Sequence, residues 1–262
     1  MSYGYAIAVT HLAPDLSGEV ATDASDEDIA VFASVLTVLP FDLRRRMFGG
    51  LPWILACTDS ATDAQQRTAE LRTRGYGAVH VNGDELGIVT PKDKSVLSFT
   101  DNSLLIEPAN ARVELDRVKF ILVASHNHEH TTPVIEKVYQ GSVRGVPIYE
   151  EIAHNEYERH VSRAVYICTD FAEPVLCLSQ AHVRIPSIPA LTSYERMTRF
   201  VEALAARCPF AKLDQTLVHN PRPKRELLDM GTHSRPHDTV MGNIFACDLS
   251  ARVLLTAYQE GQ

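Results

Sequence analysis

The chain lacks every short catalytic signature that spacing alone can carry. Its 262 residues hold no GxSxG elbow, no HExxH, no GxGxxG and no GxxxxGK[ST]. Serine-hydrolase, zinc-protease, dinucleotide and P-loop chemistry are disfavoured by those routes. Cysteine is sparse. Cys57, Cys168, Cys177, Cys208 and Cys247 are odd in number and far apart, with no CxxC and no zinc-ribbon spacing. They stand mostly in apolar, strand-like text and read as reduced, buried thiols of a reducing cytosol. Positive charge is in short supply, with 25 Lys and Arg against 33 Asp and Glu and a net charge of -8. Such an average surface repels phosphate, which argues against a general nucleic-acid binder and leaves room for a local basic patch only. No run approaches the ~18 apolar residues of a membrane span. The opening MSYGYAIAVTHLAPD has neither the basic start nor the apolar core of a signal peptide. The expectation is a cytoplasmic chain with no transmembrane segment and no cofactor.

What is present is ordinary for a globular protein: 45% hydrophobic and 22% charged residues. The length is enough to bury a core without staples. Tyr3 to Val9 alternates as a strand does. Ser25, three residues before Asp28, can cap a helix carrying Ile29, Phe32, Ala33 and Leu36 at helical spacing. Pro40 starts a second, short helix through Leu43 and Met47, which Gly50 and its preceding glycine stop. Trp53 to Cys57 reads as a buried strand. Ser60 caps a helix whose inward stripe is Ala61, Ala64, Thr68 and Leu71, and Gly75 is its left-handed terminator. Ala78 to Val81 closes the unit as a strand. The order β-α-α-β-α-β predicts a three-stranded sheet with helices on one face and a right-handed crossover.

Beyond Asp84 the texture changes to short strand-like runs. These are Ser95–Thr100, Ser103–Glu107, Val113–Leu115, Lys119–Ala124, Ala164–Thr169 and Val175–Leu178, with turn signals at Asp101-Asn102 and Pro108–Asn110. Thr192 and Glu195 open an amphipathic helix with Met197, Phe200, Val201 and Leu204 on its apolar face, ended by Pro209. The stretch from His219 to Cys247 is rich in Pro, His, Arg and Gly and reads as an irregular linker. Asp248 can cap a last short helix whose Leu249, Leu254, Leu255 and Tyr258 can dock on the body or on a partner. The fold class is therefore α+β. A small unit over 1–85 precedes a mostly antiparallel β unit over 92–218 closed by its helix, and 219–262 holds the linker and short helix.

Two resemblances attach to these residues. Leu43–Met47, Leu51-Pro52, Ala64–Leu71, Gly75 and Val79–Val81 match, in order and spacing, the C-terminal domain of the ribosomal stalk protein and the related Clp protease adaptor. The text FTDNSLLIEPANARVELDRVKFILVAS, with the later helix, resembles a pleckstrin-homology-like domain. The join of the two resembles a group of uncharacterised bacterial proteins that end in a proline, small residue, aspartate segment, here Pro209 to Asp214. The resemblance implies surfaces that bind protein partners and brings no activity with it.

Three clusters are candidates for function. His126, His128 and His130 stand in SHNHEH, and alternation puts all three on one face if the strand from Lys119 continues. Neutral imidazoles suit zinc, nickel or copper; the other reading is a polar strand end or hairpin tip. In EEIAHNEYERH, read as a helix, His154 with Glu158 and Glu156 with His160 are i, i+4 neighbours, either a second acid-base or metal cluster or a solvated face. Arg44, Arg45 and Arg46 form a basic tripeptide on the second helix. They can hold an acidic peptide or an anionic headgroup, or be solvated surface, because adjacent helical residues splay apart. The expected function is a non-enzymatic adaptor or scaffold for an unknown protein or peptide. The alternative is a metal-binding sensor or metalloenzyme on His126, His128 and His130. Peripheral attachment to anionic lipid is a third idea, disfavoured by the acidic net charge.

Overall fold

The computed structural model describes residues 4–13, 23–47, 50–91, 94–143, 146–171, 173–190, 192–219 and 239–261, without the side chains of 127–134, 141–143, 146–149, 153–160, 219 and 239–243. The first unit runs β1 (Tyr5–His11), α1 (Asp26–Leu36), α2 (Pro40–Arg46), β2 (Trp53–Thr58), α3 (Ala61–Thr73) and β3 (Gly77–Asn82). Its helices start where local chemistry tells them to. Ser25 Oγ accepts the Asp28 amide, and the Asp28 carboxylate accepts the Ser25 amide at 2.8 Å, a closed capping box. Proline is tolerated at the head of α2, where its missing N–H has no partner to lose. Ser60 Oγ accepts the Asp63 amide. Gly75 takes φ +89°, the left-handed conformation that ends α3 without a Cβ clash. β1 pairs antiparallel with both neighbours, giving the order β2-β1-β3. Ile7, Val9, Trp53, Leu55 and Ala78 bury one sheet face against Phe32, Leu36, Leu43 and Leu71 of the three helices.

The rest of the chain runs β4 (Ile88–Val89), β5 (Ser95–Phe99), β6 (Ser103–Glu107), β7 (Ala111–Glu114), β8 (Phe120–Val143), β9 (Val146–Cys168), β10 (Val175–Ser179), β11 (Val183–Arg184), α4 (Ser193–Arg207), β12 (Lys212–Asp214), α5 (Thr216–His219) and α6 (Thr239–Gln259). Two further sheets result, ordered β12-β8-β9-β10-β4 and β11-β5-β6-β7. Leu97, Leu104, Ile106, Ile121, Val123, Val165 and Ile167 form a core with Met197, Phe200, Val201 and Leu204 of α4. The architecture is α+β, with the β-α-α-β-α-β order and the helix-closed, mostly antiparallel β unit that the sequence predicts.

The end of the chain differs from expectation. α6 spans 21 residues, so Asp248 lies inside the helix and caps nothing. Leu249, Val253 and Ala257, four residues apart, pack on Ala6, Ala8, Ile54, Val79 and Val81, the second face of the three-stranded sheet. Cys247, Ala251 and Leu255 pack on Phe120, Leu122, Ala124, Ala164 and Val175 of the five-stranded sheet. The two stripes are offset by two residues, about 200° around a helix, so they lie on opposite sides. An Arg72–Glu260 ion pair ties α3 to the end of α6. The layers are α1–α3, the three-stranded sheet, α6, the five-stranded sheet, and the four-stranded sheet with α4. β4, in the segment expected to separate the two units, pairs with β10.

β8 and β9 outrun their sheet. β12 pairs with β8 only at Phe120–Leu122, and β10 pairs with β9 only at Ala164–Ile167. From Ser125↔Arg163 outward to Val143↔Val146, β8 and β9 pair with each other, and no third strand joins among the described residues. At ~3.3 Å per residue this two-stranded arm is on the order of 55 Å long.

Candidate functional site at the root of the arm

Alternation along β8, β9 and β10 sends Leu122, Ala124, Ala164, Tyr166 and Cys177 toward α6, and Val123, Val165 and Leu178 toward the opposite core. The next residue on the α6 side of β8 is His126. It is only 2% exposed, at the point where the sheet ends and the arm begins. Its Nε2 lies 3.0 Å from Tyr166 Oη, and Tyr166 Oη donates to Asp248 Oδ1 at 2.7 Å. The Cys177 thiol lies beside the Tyr166 and Thr90 hydroxyls. The neighbouring Cys247 Sγ donates to the Ser125 carbonyl at 3.6 Å. β8, β9, β10 and α6 each supply one member of a buried His126–Tyr166–Cys177–Asp248 cluster.

Electrostatics follows from the burial. Burial pushes the Asp248 carboxyl up to about 6, against the lowering effect of the Tyr166 hydrogen bond. Burial raises the Tyr166 phenol well above its ordinary value, and the nearby Cys177 and Asp248 charges add to this. The Cys177 thiol is likewise driven up, first by burial and then by Asp248. A hydroxyl has one proton. While Tyr166 gives it to Asp248, the Nε2–H of His126 is the donor to Tyr166 Oη, and protonation of Asp248 lets the chain run the other way. The cluster can therefore hold or pass a proton. It also gathers one nitrogen, one sulfur and one oxygen donor, all within 4.8 Å of one another in His126, Cys177 and Asp248.

The predicted site residues fare differently. His126 joins this buried cluster. Register sets His128 opposite His160 and His130 opposite Glu158, and their side chains lie outside the described residues. The segment around His154 and His160 is strand, not helix, so the i, i+4 pairing does not arise. Arg44 pairs with Asp26 at 2.6 Å, and Arg46 Nη1 donates to the Leu55 carbonyl at 2.6 Å, so both of these guanidiniums are engaged within the chain. Arg45 is exposed.

Sequence reasoning missed Tyr166, Cys177 and Asp248. The one available signal was Asp248 itself, a lone carboxylate between the apolar stretches FAC and LSARVLL, because a buried charge needs a partner. A separate cleft of about 420 Å³ lies at the end of α4, lined by Asp101, Arg112, Glu114, Arg207 and Phe210. Three of its charged side chains are turned on neighbours: Arg112 pairs with Glu114, and Arg207 sits over the Phe99 ring at 4.7 Å. No helix among the described residues is long and apolar enough to cross a membrane. The chain matches no protein-family model, no curated protein and no solved structure.

Proposed function

We propose that this chain is a cytoplasmic, non-enzymatic adaptor that grips a protein partner with the β8–β9 arm. The observation that carries this reading is an arm of two strands with both outer edges unpaired among the described residues. It leaves Ile135 65%, Tyr139 58% and Val161 48% exposed. An isolated two-stranded ribbon is marginal in water, and an open edge is a template for another strand. In-register pairing of Ile135 with Ala153 and Tyr139 with Tyr149 puts these residues, with Val161, on one face of the ribbon. The partner that fits is a protein offering a strand to an arm edge and apolar side chains to that face. The resemblance to the stalk and Clp adaptor family supports the same reading, with exposed Arg45 on α2 as a secondary contact for acidic groups. Five free cysteines suit a reducing cytosol.

The test is photo-crosslinking in cells from position 139, with position 202 on α4 as the control surface. A discrete adduct with another protein from position 139 alone supports the proposal. Tyr139→Ala in the intact chain is expected to weaken that complex about thirtyfold, the effect of losing a ~2 kcal/mol aromatic anchor. No adduct, adducts only with further copies of this chain, or equal adducts from both positions would overturn it.

A further inference from the structure

The cluster at the arm's root supports an inference that does not depend on the arm's partner. We infer that His126, Cys177 and Asp248 form a binding site for a single divalent transition ion of the zinc class, with the Tyr166 hydroxyl beside it. Geometry is the first argument. Bonds of about 2.0–2.3 Å at tetrahedral angles set donor atoms roughly 3.3–3.8 Å apart. The donors here lie within 4.8 Å of each other, so closing on an ion takes a movement of about an ångström, which side-chain torsions supply. They come from β8, β10 and α6, elements already locked by the core around Phe120, Leu122, Ala251 and Leu255.

Charge is the second argument. A dication with one thiolate, one carboxylate and one neutral imidazole sums to zero, the value a buried site requires. Cys177 is buried and Asp248 half-buried, so an anion on either without a counter-charge carries a desolvation penalty. A dication removes that penalty for both at once. Donor softness is the third. A thiolate and an imidazole select zinc, cobalt or nickel over magnesium and calcium, which take oxygen sets.

The proton balance is simple. With Asp248 ionised, binding forms a metal–sulfur bond, and the Cys177 thiol proton leaves to solvent. His126 binds as the neutral tautomer whose ligating nitrogen carries no proton. Tyr166 Oη, which spans His126 and Asp248 at 3.0 and 2.7 Å, either turns aside or becomes the fourth ligand. Asp248 is only half-buried and marks the entry side.

The test uses the full chain without an affinity tag, stripped with chelator and titrated with cobalt(II). One cobalt per chain is expected, with visible d–d bands of tetrahedral coordination and a near-ultraviolet thiolate-to-cobalt band, all abolished by zinc. Zinc is expected to raise the melting temperature of the parent chain. Cys177→Ser should erase the thiolate band, and Asp248→Asn should weaken binding by at least about tenfold. Each variant is first matched to the parent by circular dichroism. His128→Ala with His130→Ala should leave the spectrum intact. Absence of a thiolate band in the parent at saturating cobalt, its persistence in Cys177→Ser, or its loss with the two arm histidines would each overturn the assignment.

Discussion

Asp28 shows how much one carboxylate can organise. It accepts hydrogen bonds from the Ser25 amide at 2.8 Å, Ser25 Oγ at 2.7 Å and Tyr76 Oη at 2.7 Å. Burial alone would raise its pKa, but the bonds from Ser25 and Tyr76 outweigh that, and the carboxyl sits below its ordinary value. The same contact raises the Tyr76 phenol, after burial, with Glu27 adding and Arg74 opposing. The folded carboxyl therefore holds a proton less tightly than the unfolded one. Its stabilisation is complete above the unfolded value of about 4 and is lost as pH falls through the lower folded value. Asp28→Asn is expected to cost about 1 kcal/mol at pH 7, with the difference fading toward pH 3. Urea unfolding at both pH values checks this, and an equal loss at each would refute the charge-based account. The contact also marks what a sequence reveals at this scale. Ser25 and Asp28 are three apart, and helix geometry makes their meeting predictable. Tyr166 and Asp248 are 82 residues apart, and nothing local announces that they touch.

At the scale of elements, legibility tracks the number of buried faces. α4 buries one stripe, and Met197, Phe200, Val201 and Leu204 stand out at helical spacing against polar neighbours. α6 buries two, so its apolar residues go nearly all the way round and the period disappears. The long strands fail to register for the opposite reason. Beyond His126 the described side chains of the arm are mostly exposed, and its His- and Glu-rich text imitates a loop or a solvated helix. Only the pairing partner across the hairpin defines it as strand. The double burial of α6 has an energetic consequence. Leu249→Ala, against the three-stranded sheet, and Leu255→Ala, against the five-stranded sheet, should each destabilise the chain by about 2–5 kcal/mol. Gln259→Ala, exposed on the last turn, should stay within about 0.5 kcal/mol. Chemical denaturation of the three variants decides. A small loss at either leucine would mean that its stripe packs more loosely than described.

For the whole molecule, the position of α6 governs cooperativity. The three-stranded sheet has α1–α3 on one face and, as the one helix among the described residues, α6 on the other, where Ala6, Ala8, Ile54, Val79 and Val81 would otherwise be largely open to water. The α6 face of the five-stranded sheet depends on the same helix through Phe120, Ala164 and Val175. Detaching α6 uncovers both sheets, so neither unit can lose it and remain intact while the other unfolds. Two reporters fall on opposite sides of the helix. Trp53, the single tryptophan, is buried in the first core, and the Cys177 thiol is buried in the five-stranded sheet. Tryptophan fluorescence and labelling of the Cys177 thiol, read by peptide mass spectrometry through a urea titration of the tag-free chain in the presence of chelator, should give coincident midpoints, the signature of one cooperative transition. A chain ending at His219 should lower the Trp53 midpoint even though Trp53 packs on the helix side of its own sheet, away from α6. Separate midpoints for Trp53 and Cys177, or an unchanged Trp53 midpoint in the shortened chain, would mean that the first unit is stable by itself and that α6 only rests on it.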